Sequence, residues 1–273
     1  MKKCGFITVL GETNAGKSTL VNRLVGQKVS IVSRKRQTTI GRITGIAVHG
    51  DSQMIFIDTP GFLRGEKHKN PEKIAWDAFR ESDLVMFVVD ANKKNMDNSL
   101  ALLQKISSKQ VVLVLNKIDL VHKPKLLQLV DKFGNDFLRV FMVSSLKRDG
   151  IDELKRYLAE LMPESEWIYN NDEATNMPFE EYVSEITREH VYDQLHQEIP
   201  YECTIKTVNY RKKSNHMEIH QEICVKTESQ KSIVIGNEGK KIKSIGIASR
   251  RELSRLLGCR VDLFLRVTVD DDR

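Results

Sequence analysis

Gly11-Glu12-Thr13-Asn14-Ala15-Gly16-Lys17-Ser18 is the stretch whose residue types and spacing hold the most chemistry. Two glycines allow a turn whose backbone N–H groups point inward at an anion. Lys17 adds a point charge for the outer phosphates of a bound chain, and the Ser18 hydroxyl is placed to hold Mg²⁺. The spacing is G-x-x-x-x-G-K-[ST], which cradles phosphates when a strand leads in and a helix leads out. Both flanks fit: Phe6-Ile7-Thr8-Val9-Leu10 is an apolar run, and Ser18-Thr19-Leu20-Val21-Asn22-Arg23-Leu24 is helix-like. Residues 11–18, with Thr19, therefore read as phosphate-binding through a helix N-terminus.

Two further clusters narrow the ligand. Asp58-Thr59-Pro60-Gly61 follows an alternating run at 53–58. A carboxylate at the carboxyl end of a strand faces the ligand crevice of an open α/β sheet, so Asp58 can hold Mg²⁺ through a water. Gly61 offers a backbone N–H to a γ-phosphate. Asn116-Lys117-Ile118-Asp119 follows the apolar run at 111–115. A carboxylate at 119 can accept from both guanine donors, the ring N–H and the exocyclic amine, which adenine does not offer as a pair. Asn116 can stitch this loop to the phosphate loop, and Lys117 can lay its stem along the base. Ser144, Ser145 and Leu146 should close over the base with backbone amides. GTP and GDP are the expected ligands.

The elements that must position these residues alternate in type. A hairpin is expected at 42–49 and 53–58, turning at Gly50-Asp51. Strand–helix pairs follow at 84–90 and 99–107, 111–116 and 123–133, and 139–144 and 151–161. The runs Val85-Met86-Phe87-Val88-Val89 and Val111-Val112-Leu113-Val114-Leu115 suit parallel strands covered on both faces. The fold class is α/β, a doubly wound, mostly parallel sheet. Residues 27–39 are polar and basic without helical period and read as a mobile segment.

The chain has 273 residues, enough for two domains, and its net charge of +6 leans toward a polyanionic partner. No run approaches the apolar length of a membrane span, and residues 1–5 lead straight into a strand without a signal peptide. Cys4, Cys203, Cys224 and Cys259 are scattered, without metal or disulfide spacing, as expected of buried thiols in a reducing cytosol.

The expected division is 1–165, a polar linker at 166–177, and a smaller α+β domain at 178–273. Pro178 suits a first helical residue, with the amphipathic set Tyr182, Ile186, Val191 and Leu195 behind it. Strands are expected at 201–211 and 217–226, a helix through 247–257 and a last strand at 261–269. Between them lies Gly236-Asn237-Glu238-Gly239, followed by Lys240, Lys241 and Lys243. Two close glycines let a nucleic-acid backbone approach, and the lysines and helix N-termini supply positive potential. Gly236, Asn237, Gly239, Lys240, Lys241 and Lys243 are thus candidate RNA contacts, while Glu238 places a negative charge in the clamp.

The stretches 11–18, 37–41, 58–61, 116–119 and 144–146 resemble, in order, the motifs of translation-factor-like Ras-type GTPases. Residues 178–273 look like a type II KH domain. Together, and especially in Gln37-Thr38-Thr39 and the run 236–251, they resemble the Era family of bacterial ribosome-assembly GTPases. That resemblance implies a GTP-hydrolysing switch that binds the 3′ end of small-subunit (16S) ribosomal RNA and assists maturation of the 30S particle. It also implies a switch threonine on Mg²⁺, Thr38 or Thr39, with Thr39 favoured, and peripheral contact of a cytoplasmic protein, expected as a monomer, with the inner membrane. Lys17, Thr39 and Gly61 would act on the γ-phosphate. Asn14 stands where related GTPases hold a monovalent cation, so K⁺ is a candidate.

The departures from the family pattern are Thr13 for proline, Ile40-Gly41 for a basic pair, Ser145 for alanine, and Phe62 where a water-orienting Gln is common. With Phe62 there, intrinsic hydrolysis should be slow, roughly 10⁻⁴–10⁻² s⁻¹. A constitutive RNA-binding chaperone that uses nucleotide only structurally is the alternative reading.

Overall fold

The computed structural model describes residues 1–32, 42–61, 71–106, 110–133, 137–195 and 199–270, with backbone alone over 71–74. Gln37, Thr38, Thr39, Ile40, Gly41 and Phe62 lie outside the described residues, so the expectations placed on them are not addressed by it.

The chain divides into two compact units, the first running to Asn176 and the second from Met177. The first is a six-stranded sheet. Its strands are β1 (Lys3–Gly11), β2 (Ile43–His49), β3 (Ser52–Asp58), β4 (Leu84–Asp90), β5 (Val111–Asn116) and β6 (Arg139–Val143). The order is β2-β3-β1-β4-β5-β6, and β2 alone runs antiparallel to its neighbour. Strand period two sends alternate residues to opposite faces. Val112 and Val114 join Leu20, Val21 and Leu24 of α1 (Lys17–Val25) and Leu154 and Leu158 of α5 (Ile151–Glu160). Leu113 and Leu115 instead join residues of α2 (Pro71–Glu81), α3 (Asp97–Lys105) and α4 (Lys123–Phe133). Each such buried Val or Leu contributes about 1.5–3 kcal/mol, which is why these runs are apolar throughout.

The helix α2 has no counterpart in the sequence reading. Its signal was short: Pro71 at its first position, then Ala75, Ala78 and Phe79 on one face.

The expected linker also differs. Residues 164–174, which include most of the expected linker, are hydrogen-bonded along the first unit. Ser165 N–H donates to the Lys2 carbonyl, and Ile46 N–H to the Ala174 carbonyl. Fully buried Gln53 accepts from the N–H groups of Ile168 and Tyr169, each at 3.0 Å, and donates to the Tyr169 carbonyl at 2.8 Å. One amide side chain thereby satisfies three backbone groups of a segment that makes no helix or strand of its own.

The second unit contains α6 (Phe179–Gln194), α7 (Ile199–Glu202), β7 (Thr204–Lys213), β8 (His216–Val225), α8 (Glu228–Ile235), α9 (Lys240–Leu257) and β9 (Arg260–Val269). Its sheet order is β7-β8-β9; β8 pairs antiparallel with β7 and parallel with β9. Val183, Ile186 and Val191 of α6 and Ile245 and Leu253 of α9 fill its core against β8 and β9. Pro178 caps α6 instead of opening it, and α9 starts at once at Lys240 and runs for 18 residues. All four cysteines are free thiols.

Candidate functional site

The phosphate loop links β1 to α1. At Gly11, φ is +151° and an added Cβ would fall 2.2 Å from the Val88 carbonyl oxygen. At Gly16, φ is +91° and a Cβ would meet Asn116 Nδ2 at 2.3 Å. No other residue type fits either turn. Asn14 is also left-handed, at φ 61°. The buried Lys17 ammonium donates to the carbonyls of Gly11 and Glu12 at 3.1 and 3.0 Å. Burial lowers its pKa to about 8, against the opposing pull of Asp58 and Glu12.

Ser18 and Asp58 meet across the site. Ser18 Oγ donates to Asp58 Oδ2 at 2.7 Å, and Asp58 Oδ1 is buried with no hydrogen-bond partner among the described residues. Burial raises the Asp58 carboxyl, partly offset by Lys17 and Ser18. A hydroxyl and a carboxylate with a spare buried oxygen form the hard donor set that suits Mg²⁺, so these residues fit the ion. Gly61 packs against the loop: a Cβ there would lie 2.7 Å from Thr13 N. Pro60 is buried beside it. The Thr59 hydroxyl donates to the Val9 carbonyl at 2.8 Å and so ties the segment after β3 to β1.

The loop after β5 folds onto the same place. Asn116 Nδ2 donates to the Ala15 carbonyl at 2.9 Å, and its Oδ1 accepts from Ser145 N–H and Oγ at 3.0 and 2.9 Å. Lys117 Nζ donates to the Asn14 carbonyl at 2.6 Å and to Asp90 at 2.7 Å. Asp119 accepts from Ser144 Oγ at 2.6 Å, and the Ser145 carbonyl accepts from Arg23 at 2.9 Å. Leu146 stands exposed at the loop tip. Thr19 follows in the first turn of α1. The structure thus gathers the expected residues of 11–19, 58–61, 116–119 and 144–146 at the carboxyl edge of β1, β3, β5 and β6.

The sequence reading missed Asp90, Lys93 and Ser99, which come from β4, the loop after it and α3. For Asp90 the signal was the one used for Asp58, a carboxylate ending an apolar strand. The Glu12 side chain turns toward Lys93 and Ser99.

In the second unit, Gly236 (φ +73°) lies so close to Lys241 that a Cβ would meet the lysine Cβ at 2.5 Å, whereas Gly239 (φ +72°) faces open space. The candidate lysines part company here. Lys243 is exposed on a groove of 460 Å³ lined by Ile242, Gly246, Ile247 and Arg250 of α9 and Leu263 and Leu265 of β9. Lys241 instead donates to the Gln194 carbonyl at 3.3 Å, at the C-terminal end of α6, where a cation is favoured. Lys240 pairs with Glu238 at 2.8 Å, and exposed Asn237 lies between the glycines. Arg250, although inside the family-like run 236–251, was not among the candidate RNA contacts, and the apolar floor was not foreseen, because they come from the middle of α9 and from β9. Among the described residues no helix is long and apolar enough to cross a membrane.

Comparison with known proteins agrees with both halves. A family model described as "50S ribosome-binding GTPase" matches residues 6–117, and one described as "KH domain" matches residues 198–273. GTPase Era of Erythrobacter litoralis is 42% identical over 99% of this chain and 93% of its own length. GTPase Era of Bradyrhizobium sp. (strain ORS 278) is 42% identical over 99% of this chain and 90% of its own. A single-residue variant of Aquifex aeolicus Era bound to GDP·AlF4⁻ is 33% identical, with a TM-score of 0.90 over 99% of this chain and 95% of its own. Era in complex with MgGDPNP and nucleotides 1506–1542 of 16S ribosomal RNA is 32% identical, with a TM-score of 0.89 over 100% of this chain and 95% of its own. With a G domain, a KH domain and that identity along its whole length, the chain belongs to the Era family of GTPases.

Proposed function

We propose that this GTPase is a nucleotide-driven switch that binds the 3′ end of small-subunit ribosomal RNA and assists maturation of the 30S subunit. The observation that carries the reading is the groove between β9 and α9, the helix that follows the Gly236–Gly239 turn. It pairs an apolar floor with the rim cations Lys243 and Arg250. Splayed bases bury on such a floor while cations meet the backbone. The solved Era complex with a 16S fragment supports the choice of RNA.

In the first unit Lys17 binds the outer phosphates, and the amides of 13–19 and Gly61 complete the cradle. Ser18 and Asp58 would hold Mg²⁺, together with Thr39. When bound, the ion neutralises charge on the β- and γ-phosphates. Asp119 and Lys117 select and support guanine, Asn116 ties base loop to phosphate loop, and residues 144–146 close over the base. Asn14 is the candidate ligand for K⁺, checked by comparing turnover in K⁺ and Na⁺. The protein acts as a monomer in the cytoplasm with peripheral contact at the inner membrane; its net charge of +6 supports only the last.

Crosslinking of bound RNA followed by sequencing tests this reading, with a non-hydrolysable GTP analogue and with GDP. Enrichment of the 3′ end of the small-subunit RNA in the GTP-like state is expected. Equal recovery in both states would favour the constitutive RNA-binding chaperone, and recovery of unrelated RNA would remove the ribosomal assignment.

A further inference from the structure

We propose that Lys93 and Ser99, acting through the Glu12 side chain, are positioning residues for the nucleotide site. Glu12 is the second residue of the phosphate loop, and it is 8% exposed. A buried carboxylate beside a polyphosphate site is costly unless paired, because it loses hydration and repels the ligand. Two side chains from outside the loop meet it. Lys93 Nζ forms an ion pair with Oε2, and buried Ser99 Oγ donates to Oε1. Lys93 stands in the connection between β4 and α3, and Ser99 in the first turn of α3.

The backbone of the same residue faces the chemistry. The Glu12 carbonyl accepts from Lys17 Nζ at 3.0 Å. Glu12 is therefore pinned by its carboxylate on one side and holds the phosphate-binding ammonium on the other. If the carboxylate moves, the carbonyl moves with it, and Lys17 loses its placement. The last residue of β4 reaches the loop indirectly as well, since Asp90 accepts from Lys117, whose ammonium also donates to the Asn14 carbonyl. Neither Lys93 nor Ser99 lies in the five sequence motifs.

The Lys93 side chain is 39% exposed, so removing it opens no core cavity, but it leaves the buried Glu12 carboxylate with Ser99 alone and should lower stability as well as affinity. Its loss should register on the ligand. The full-length protein carrying Lys93→Met, Lys93→Arg or Ser99→Ala would be titrated with fluorescent GDP and a fluorescent non-hydrolysable GTP analogue, with turnover and thermal unfolding measured alongside. Lys93→Met is expected to weaken both nucleotides about 10- to 100-fold, in line with a small misplacement of a binding group. Its kcat at saturating GTP should change less than KM. Lys93→Arg should keep affinity near the parent value, and Ser99→Ala should fall between them. The proposal is overturned if Lys93→Met binds within twofold of the parent, if Lys93→Arg loses as much as Lys93→Met, or if melting temperature falls while affinity does not.

Discussion

The side-chain amide of Asn116 donates to the Ala15 carbonyl at 2.9 Å, so the loop after β5, proposed to select the base, is tied to the loop between β1 and α1, proposed to bind the phosphates. Gly16 leaves room for this contact, since a Cβ there would sit 2.3 Å from that same amide nitrogen. Gly16→Ala should break the tie and strain the turn by about 1–3 kcal/mol. Binding of fluorescent GDP is expected to fall at least about 100-fold, with circular dichroism showing a folded sheet. Near-parental affinity would mean the two loops are independent.

Asp119 is held by Ser144 Oγ at 2.6 Å, which aims its carboxylate. Asp119→Asn should lower GTP affinity by a factor on the order of 10⁴ and raise that for xanthosine triphosphate, whose ring carries a carbonyl in place of the amine. Competition between the two nucleotides measures it, and unchanged preference for GTP would contradict the role given to Asp119.

The Lys17 ammonium gives a pH dependence with a definite sign. Burial lowers its pKa from 10.5 to about 8. Between those values the unfolded chain binds more protons than the folded one, so stability of the nucleotide-free protein rises with pH across that window. GTP affinity runs the other way, because the phosphates need the charged form. Affinity should weaken about tenfold from pH 7 to pH 9 while the denaturation midpoint does not fall. A flat affinity profile would show that Lys17 stays charged throughout.

Gln53 fastens the segment at 168–169 to the sheet. Gln53→Leu should destabilise the first unit by about 2–4 kcal/mol, since backbone groups lose partners and a buried site loses its match. Hydrogen exchange of the amides of Ile168 and Tyr169 should rise. Unchanged exchange would mean that other contacts hold the segment.

The lysines of the second unit should separate by function. Lys243→Glu and Arg250→Glu are expected to weaken binding of single-stranded RNA about tenfold or more each and to reduce its salt dependence. Lys241→Ala should leave RNA affinity within about twofold, because that ammonium serves the end of α6. Fluorescence anisotropy at two salt concentrations reads all three, and a loss at Lys241 equal to that at Lys243 would reverse the assignment.

Contiguous residues decided the part of this protein that was legible in its sequence. The phosphate cradle occupies 11–18, the base tetrad 116–119 and the glycine turn 236–239, and each carries its own backbone demand and its own chemistry. Apolar runs such as 111–115 announced a sheet covered on both faces, and the alternation of strand and helix announced the doubly wound class. Where the local signal was weak, as for the helix at 71–81, the reading failed.

Tertiary structure decided which distant residues meet. Parallel pairing of β1 with β4 brings Lys93 to Glu12 across 81 positions and Ser99 across 87, with no trace in local spacing. Gln53 finds Tyr169 across 116 positions and turns an expected linker into part of the first unit. Helix phase did the rest: residues two apart on a helix point about 200° apart, so Lys241 and Lys243, alike in sequence, face different surroundings. A run of letters records composition and spacing, whereas the direction of a side chain is set by the element it sits on and by what that element packs against.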